Sequence, residues 1–356
     1  MSIGLQQRLL IREIHTMFDH DIFARPDDVA NRGNSESARL APDEVLVLNA
    51  RESAQVWAAA ARAARRRRFD EDPVAVASSL IGSFPGTVLE ALHRFRTVGT
   101  EHNVLLLRGM CGDLRGLPAT PPTRTPRTAM PTVDAAALVL MAVAWALGEP
   151  FTFRSLIDGR LVEHVVPVLG QEQAQSGAGS VAALAWHVED GFTEDRCDHF
   201  GLLCLRGHSG AATVVAAARN LELPGRIRSI LRESRFVMTP SVEHDIPDAD
   251  LVTMPVLTGP AADPEICFDA VYQHPADPDD EEAASALTAL TEALDRAAIR
   301  HHSRPGDLLL VDNRRTVHGR TVFEPRYDGT DRWLLRTYTC ASIRDHRRRG
   351  GGRAIG

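Results

Sequence analysis

Between residues 161 and 338 short apolar runs alternate with clusters of Gly, Pro, Asp and Ser, and this punctuation constrains the fold more than any other feature. The runs at 161–168, 181–186, 200–205, 213–216, 251–257 and 266–272 are rich in Val, Leu, Ile or Phe, so each reads as a strand. Residues 307–311 and 332–338 read as two closing strands. Short strands at this spacing predict a sandwich or barrel. A helix over residues 281–299 interrupts the series, with Ala284, Leu287, Leu290, Leu294 and Ala297 at helical spacing.

The first hundred residues differ in texture. Residues 53–68 and 74–98 are rich in Ala, Leu and Arg at helix-like spacing, so residues 1–100 are expected to form a helical flank. Arg65 to Arg68, followed by Asp70, Glu71 and Asp72, reads as a solvated helix end. A core is expected over residues 101–345, with a strand at 102–108 and a buried helix at 133–147. Residues 112–132, rich in Pro, Thr and Arg, suit an exposed loop or lid. Residues 346–356, which include Arg347-Arg348-Arg349-Gly350-Gly351-Gly352-Arg353, read as a disordered tail.

Composition narrows the chemistry by exclusion. All 40 basic residues are arginine. Without a lysine amine, pyridoxal phosphate enzymes, lysine-dependent aldolases, Walker-type P-loop enzymes and protein kinases are excluded. A genome biased in its codons is the ordinary source of such an absence. A net charge of −7, with arginines interspersed among carboxylates, argues against a nucleic-acid partner. Five scattered cysteines without a C-x-x-C pair argue for reduced thiols. The longest apolar run, residues 135–147, is shorter than the ~20 residues a membrane span requires. Met1-Ser2-Ile3-Gly4 leads into a charged amphipathic stretch, so the reading is a cytoplasmic protein with no membrane partner and an open oligomeric state.

The stretch Trp186-His187-Val188-Glu189-Asp190 carries the most chemistry. With 14 histidines and 47 acidic residues, chance alone gives about two His-x-Asp/Glu patterns, and one occurs. Its placement matters more than its presence. On a strand, His187 and Glu189 point to one face. His318, beyond the apolar run at 308–311, is the best third ligand. Two imidazoles and one carboxylate leave three coordination positions open, the set used by iron(II) oxygenases. The plain alternatives are a strand end with surface polar residues and a histidine in a surface loop. Further on, Arg332, Leu334, Arg336 and Tyr338 share a strand face. If that face points inward, its arginines need an anionic cosubstrate, an anionic substrate or both; if outward, they are merely solvated.

These residues occur in a telling order. His187-x-Glu189-Asp190 is followed by Phe192, Arg196 and Asp198, then Val311-Asp312-Asn313, His318-Gly319-Arg320, and Arg326-Tyr327-Asp328-Gly329-Thr330-Asp331-Arg332-Trp333-Leu334. That order resembles the iron(II)/2-oxoglutarate oxygenases of the clavaminate synthase group, and most of all the free amino-acid hydroxylases of peptide antibiotic pathways, which act on arginine, asparagine and related residues. The resemblance spans about residues 90–345 and is most specific over 307–336.

It implies an α+β protein with a mainly β core, a double-stranded β-helix or jelly roll flanked by helices. It implies iron(II) on His187, Glu189 and His318, with O2 and 2-oxoglutarate as cosubstrates. Arg332 would hold the distal carboxylate of 2-oxoglutarate, assisted by Thr213. Arg336 would meet the carboxylate of a small amino-acid-like substrate, and Asp269 its amine or side chain, with Ile157 and Ser180 at the same site. The implied reaction is C–H hydroxylation with release of succinate and CO2. The same centre also supports desaturation, epimerisation or cyclisation, and a jelly-roll metal protein without redox chemistry is the remaining alternative. Relatives carry Gln or Glu before the Asp-Gly pair, whereas here Leu156-Ile157 precede Asp158-Gly159. An apolar site rewards a buried ammonium poorly, so the departure points to an atypical substrate, such as one modified at nitrogen.

Overall fold

The computed structural model describes residues 23, 39–66, 73–126, 130–244, 251–349 and 351–355. Most of the predicted flank before residue 39, and the stretch Arg67 to Asp72, lie outside the described residues.

Two sheets face each other. The larger has eight strands: β1 (Val45–Val47), β2 (Val104–Arg108), β3 (Glu149–Phe153), β4 (Glu163–Val165), β6 (His199–Arg206), β9 (Asp307–Asp312), β11 (Trp333–Cys340) and β12 (Ala354–Ile355). Its order is β1-β2-β9-β6-β11-β3-β12, with β4 also on β11. The smaller runs β8 (Ile299–His301), β7 (Thr213–Ala217), β10 (Thr316–Arg320), β5 (Leu184–His187).

Strand alternation separates the core into layers. On β9, Leu308 and Leu310 join an outer cluster, while Leu309 and Val311 face the space between the sheets. There they meet Phe200, Leu202, Leu334 and Tyr338 of the same sheet and Val215 and Ile299 of the smaller one. The outer cluster is capped by α1 (Ala50–Arg66), α2 (Pro73–Leu80), α3 (Gly86–Thr97) and α4 (Pro131–Leu147). Helix α4 is apolar on every side because it is covered on every side, by the other three helices and by β6 and β11. The outer face of the smaller sheet rests on α5 (Glu281–Ala297), whose N-cap Asp280 accepts a hydrogen bond from the Ala283 N–H at 2.9 Å.

Several sequence expectations are corrected. The segment 74–98 is two helices, broken where Gly82-Ser83-Phe84-Pro85 interrupts the pattern. The flank is not purely helical, since β1 pairs in parallel with β2 and extends the main sheet. Of residues 251–257 and 266–272, only Leu257–Thr258 and Glu265–Ile266 pair as strands; Val256 and Phe268 are buried without a ladder, their apolar character serving loop packing. The helix over 281–299 stops at Ala297, and Ile299 starts β8. The C-terminal segment is ordered where described: Ile355 is buried on β12 beside β3, and the Arg353 guanidinium lies 4.8 Å over the Trp145 ring. Among the described residues no single helix is long and apolar enough to cross a membrane.

Candidate metal centre and substrate cavity

Strands β5 and β10 run antiparallel with His187 directly opposite His318, their ring centroids 4.1 Å apart. Glu189 lies two residues beyond the first. Ligand atoms from all three fall within 4.8 Å of one another. The end of β5 and the turn after it thus bring one buried carboxylate and two imidazoles to a point between the sheets.

Local structure explains how the chain comes so close. At Gly319 a Cβ would stand 2.5 Å from the Leu184 carbonyl oxygen, so only glycine lets β10 approach β5 here. Directly after Glu189, Asp190 takes a left-handed φ of 53°, which turns the chain out of the site. Asn313, fully buried, splints that turn: its Oδ1 accepts the Glu189 N–H at 2.8 Å, and its Nδ2 donates to the carbonyls of Glu189 and Cys197 at 3.0 and 3.1 Å. Asn313→Ala should therefore lower unfolding stability by about 2–4 kcal/mol, because it leaves buried backbone groups unpaired. Denaturant titration checks this, and a loss below about 0.5 kcal/mol would rule out the splint.

The ionisation states suit a cation. Burial, then the neighbouring His318, drives His187 down to about 4, so its ring is neutral at ordinary pH. His187 Nδ1 lies 2.8 Å from the Ala185 carbonyl, which assigns the proton there and leaves Nε2 with the free lone pair. The Nδ1 of His318 is buried without a partner, and its Nε2 is 3.3 Å from Glu189 Oε1. Burial alone would push Glu189 up, but Arg336, then His318 and His187, outweigh it and hold the carboxyl well below its ordinary value. Arg336 pairs with one Glu189 oxygen, and the Tyr338 hydroxyl donates to the other at 2.9 Å. The neutral His187 ring, the His318 ring and an anionic carboxylate form a donor set that fits a divalent transition metal.

The centre opens into a cavity of about 660 Å³, its mouth included, whose walls hold His187, Glu189, Asp269, Arg336, Tyr338 and Leu156. Arg336 is buried; its Nε donates to Glu163 Oε2 at 2.9 Å. Asp269 uses one oxygen, Oδ1, to accept the N–H groups of Val271 and Tyr272 at 2.7 and 2.8 Å.

Arg332, just ahead of β11, is buried too, yet among the described residues no carboxylate pairs with it. Burial lowers its guanidinium to about 10, so it remains a cation at neutral pH. Its neighbour Arg320 is committed to carbonyl oxygens, including that of Ala182 at 2.6 Å. Thr213 stands directly across the ladder from Arg320, at the same end of the small sheet. A buried guanidinium lacking a counter-charge is a receptor for an anion.

Two expected substrate residues lie elsewhere. Ile157, with a left-handed φ of 48°, lines a small adjoining cleft with Thr152 and Arg160, which shares Leu156, Arg336 and Tyr338 with the main cavity, and of the pair only Leu156 lines the main cavity. Ser180 is buried behind the wall, its backbone bonded to Glu172 and Phe323, while Ser176 and Gly177 of the same loop reach the cavity. Glu163, Glu243 and Asn313 went unassigned by sequence reasoning. Glu163 stands opposite Arg336 in the β4–β11 ladder, a pairing no local pattern reveals.

The comparisons agree with this geometry. Residues 132–338 match the model of the family described as taurine catabolism dioxygenase TauD, TfdA family. The chain is 36% identical over 285 residues to an L-asparagine oxygenase of Streptomyces coelicolor, covering 79% of this chain and 84% of that protein. It is 31% identical over 288 residues to an enduracididine beta-hydroxylase of Streptomyces hygroscopicus, covering 74% and 84%. Among solved structures, asparagine oxygenase in complex with Fe(II), (2S,3S)-3-hydroxyasparagine and succinate superposes with a TM-score of 0.80 at 34% identity, over 86% of this chain and 96% of that one. The non-heme iron oxygenase OrfP with Fe and alpha-ketoglutaric acid also gives 0.80, at 30% identity over 88% and 100%. With a metal-competent triad at the heart of a matching fold, the chain belongs to the TauD/TfdA family and is a non-heme iron(II)/2-oxoglutarate-dependent oxygenase.

Proposed function

We propose that this oxygenase hydroxylates an unactivated C–H bond of an amino acid or amino-acid-derived substrate in secondary metabolism, consuming O2 and 2-oxoglutarate and releasing succinate and CO2. One observation carries the reading: the His187/Glu189/His318 set opens onto a cavity that also presents a buried arginine and a half-buried aspartate. Iron(II) with 2-oxoglutarate would supply the oxidising power for hydrogen removal and hydroxyl return.

The chain's own residues do the rest. Arg332 takes the distal carboxylate of 2-oxoglutarate, with Thr213 beside it. Arg336, aligned by Glu163, takes the substrate carboxylate. Asp269, whose Oδ2 accepts none of the backbone bonds that hold Oδ1, faces the substrate amine or side chain. The two facing sheets form the double-stranded β-helix expected of such an enzyme.

Leu156 in the cavity wall supports an atypical substrate, amino-acid-derived and modified at nitrogen. Purified chain with iron(II), 2-oxoglutarate and O2 should release succinate with Nα-modified amino acids at lower concentration than with their parents, and the product should gain one oxygen atom. Saturation by a plain proteinogenic amino acid at micromolar levels would overturn the modified-substrate reading; loss of two hydrogens instead of gain of oxygen would replace hydroxylation by desaturation.

A further inference from the structure

Behind the cavity wall runs a chain of alternating charges. Arg336 pairs with Glu189 on one side and Glu163 on the other. The second oxygen of Glu163 accepts from Arg124 Nε at 2.8 Å. Arg124 then grips Glu243 with both terminal nitrogens, Nη2 lying 3.3 Å from Oε2. The side chains of Arg124 and Glu163 are 12% and 6% exposed, so these charges meet each other far more than water. Glu243 itself lines the cavity. The two partners come from distant stretches, Arg124 from the loop after β2 and Glu243 from the segment beside Met238.

That segment is pinned a second time at the next residue. His244 Nε2 lies 2.8 Å from Asp190 Oδ1, and its Nδ1 2.8 Å from Ser155 Oγ. The wall position of Glu243 therefore has a support besides the ion pair. Among the described residues, Glu243 makes no ion pair other than that with Arg124, and the Arg336 guanidinium acts on it only at longer range.

Two carboxylates here share one guanidinium that lies outside the cavity lining. We propose that Arg124 is a specificity-determining residue: by offsetting Glu163 and Glu243, it limits how strongly the cavity attracts a positively charged substrate side chain. The proposal rests on the amino-acid reading of the cavity. With Arg124 removed, Glu243 becomes a bare carboxylate in a poorly solvated wall, a state that a substrate ammonium or guanidinium relieves. With Glu243 removed instead, the cavity loses one negative charge while Arg124, still paired with Glu163, stays in place, so the wall attracts the same group less. Opposite signs from the two partners are what a charge-setting role requires and a merely structural one does not supply.

L-Arginine and L-citrulline probe this directly, since they match in length and differ in carrying a guanidinium or a neutral ureido group. Their dissociation constants are measured by titration calorimetry at millimolar ligand, as free and Nα-acetyl forms, with iron(II) and 2-oxoglutarate present and oxygen excluded. Arg124→Gln should shift the arginine-to-citrulline preference toward arginine by about tenfold or more, a change set by one unit charge at cavity distances. Glu243→Gln should shift it the opposite way, and the double variant should return it to within about threefold of the parent, because the two deletions cancel in charge.

An unmoved ratio in both single variants, or shifts of the same sign, overturns the proposal. If Arg124→Gln does not fold, Glu243→Gln alone decides, and an unmoved ratio there is fatal. Binding of either probe without succinate release in air fells the functional reading and leaves the charge-setting role standing. A parent chain that binds neither pair fells both.

Discussion

His318→Ala should abolish iron binding and cut succinate release by at least about a thousandfold, equivalent to about 4 kcal/mol of lost transition-state stabilisation. The imidazole sits on β10 opposite His187, so no neighbouring donor can replace it: the ring packed against it on its other side is Phe200, at 4.5 Å between centroids. The variant should still fold. The site lies between the sheets, and the two helix-capped outer clusters hold most of the buried apolar residues and do not include His318. Cobalt(II) titration followed by visible absorption reads the metal directly, and circular dichroism reads the fold. A variant that keeps parental cobalt affinity would remove His318 from the ligand set.

Arg332→Leu should raise the 2-oxoglutarate requirement by about a hundredfold, in line with about 3 kcal/mol for a charge-assisted pair that strands an anion when one partner is lost. Its effect on the unliganded protein should have the opposite sign. In the wild-type chain the guanidinium is buried and carries no carboxylate partner among the described residues. Replacing it by leucine removes an uncompensated charge, so the melting temperature without 2-oxoglutarate should hold or rise. Adding 2-oxoglutarate should then stabilise the wild type and leave the variant unmoved. An unchanged requirement in the variant, or equal stabilisation of both proteins, would refute the anion-holding role.

The clustering of His187, Glu189 and His318 was legible because two of the three lie close in sequence at the end of one strand. His187 ends β5, and the extended step to Glu189 keeps the two on one side, although the turn that fixes Glu189 depends on Asn313, 124 positions away. That Arg332 and Arg336 are buried followed from the alternation along β11 and the residue before it, but the Glu163 partner of Arg336 did not. Glu163 meets Arg336 only because β4 pairs with β11, and such pairing across more than 170 positions leaves no local trace. Ile157 and Ser180 show the limit of family order as a guide. At a left-handed Ile157 the main cavity is lined by Leu156, while Ile157 lines the small cleft beside it, a backbone event invisible in residue type. Residues 251–257 look like a strand because loops that pack on a core are also apolar. The C-terminal arginines look solvated, yet Arg353 finds the face of Trp145.

The layering of the larger sheet has a consequence for how this protein can change. Along β11, Trp333 and Leu335 touch the helical layer, whereas Leu334 and Tyr338 join the cluster between the sheets and Arg336 and Tyr338 line the cavity. A position-by-position substitution scan of that strand should sort into two interleaved phenotypes, one visible in expression yield and the other in product profile. Selection can therefore tune what the enzyme accepts on every second residue while the residues between keep it folded.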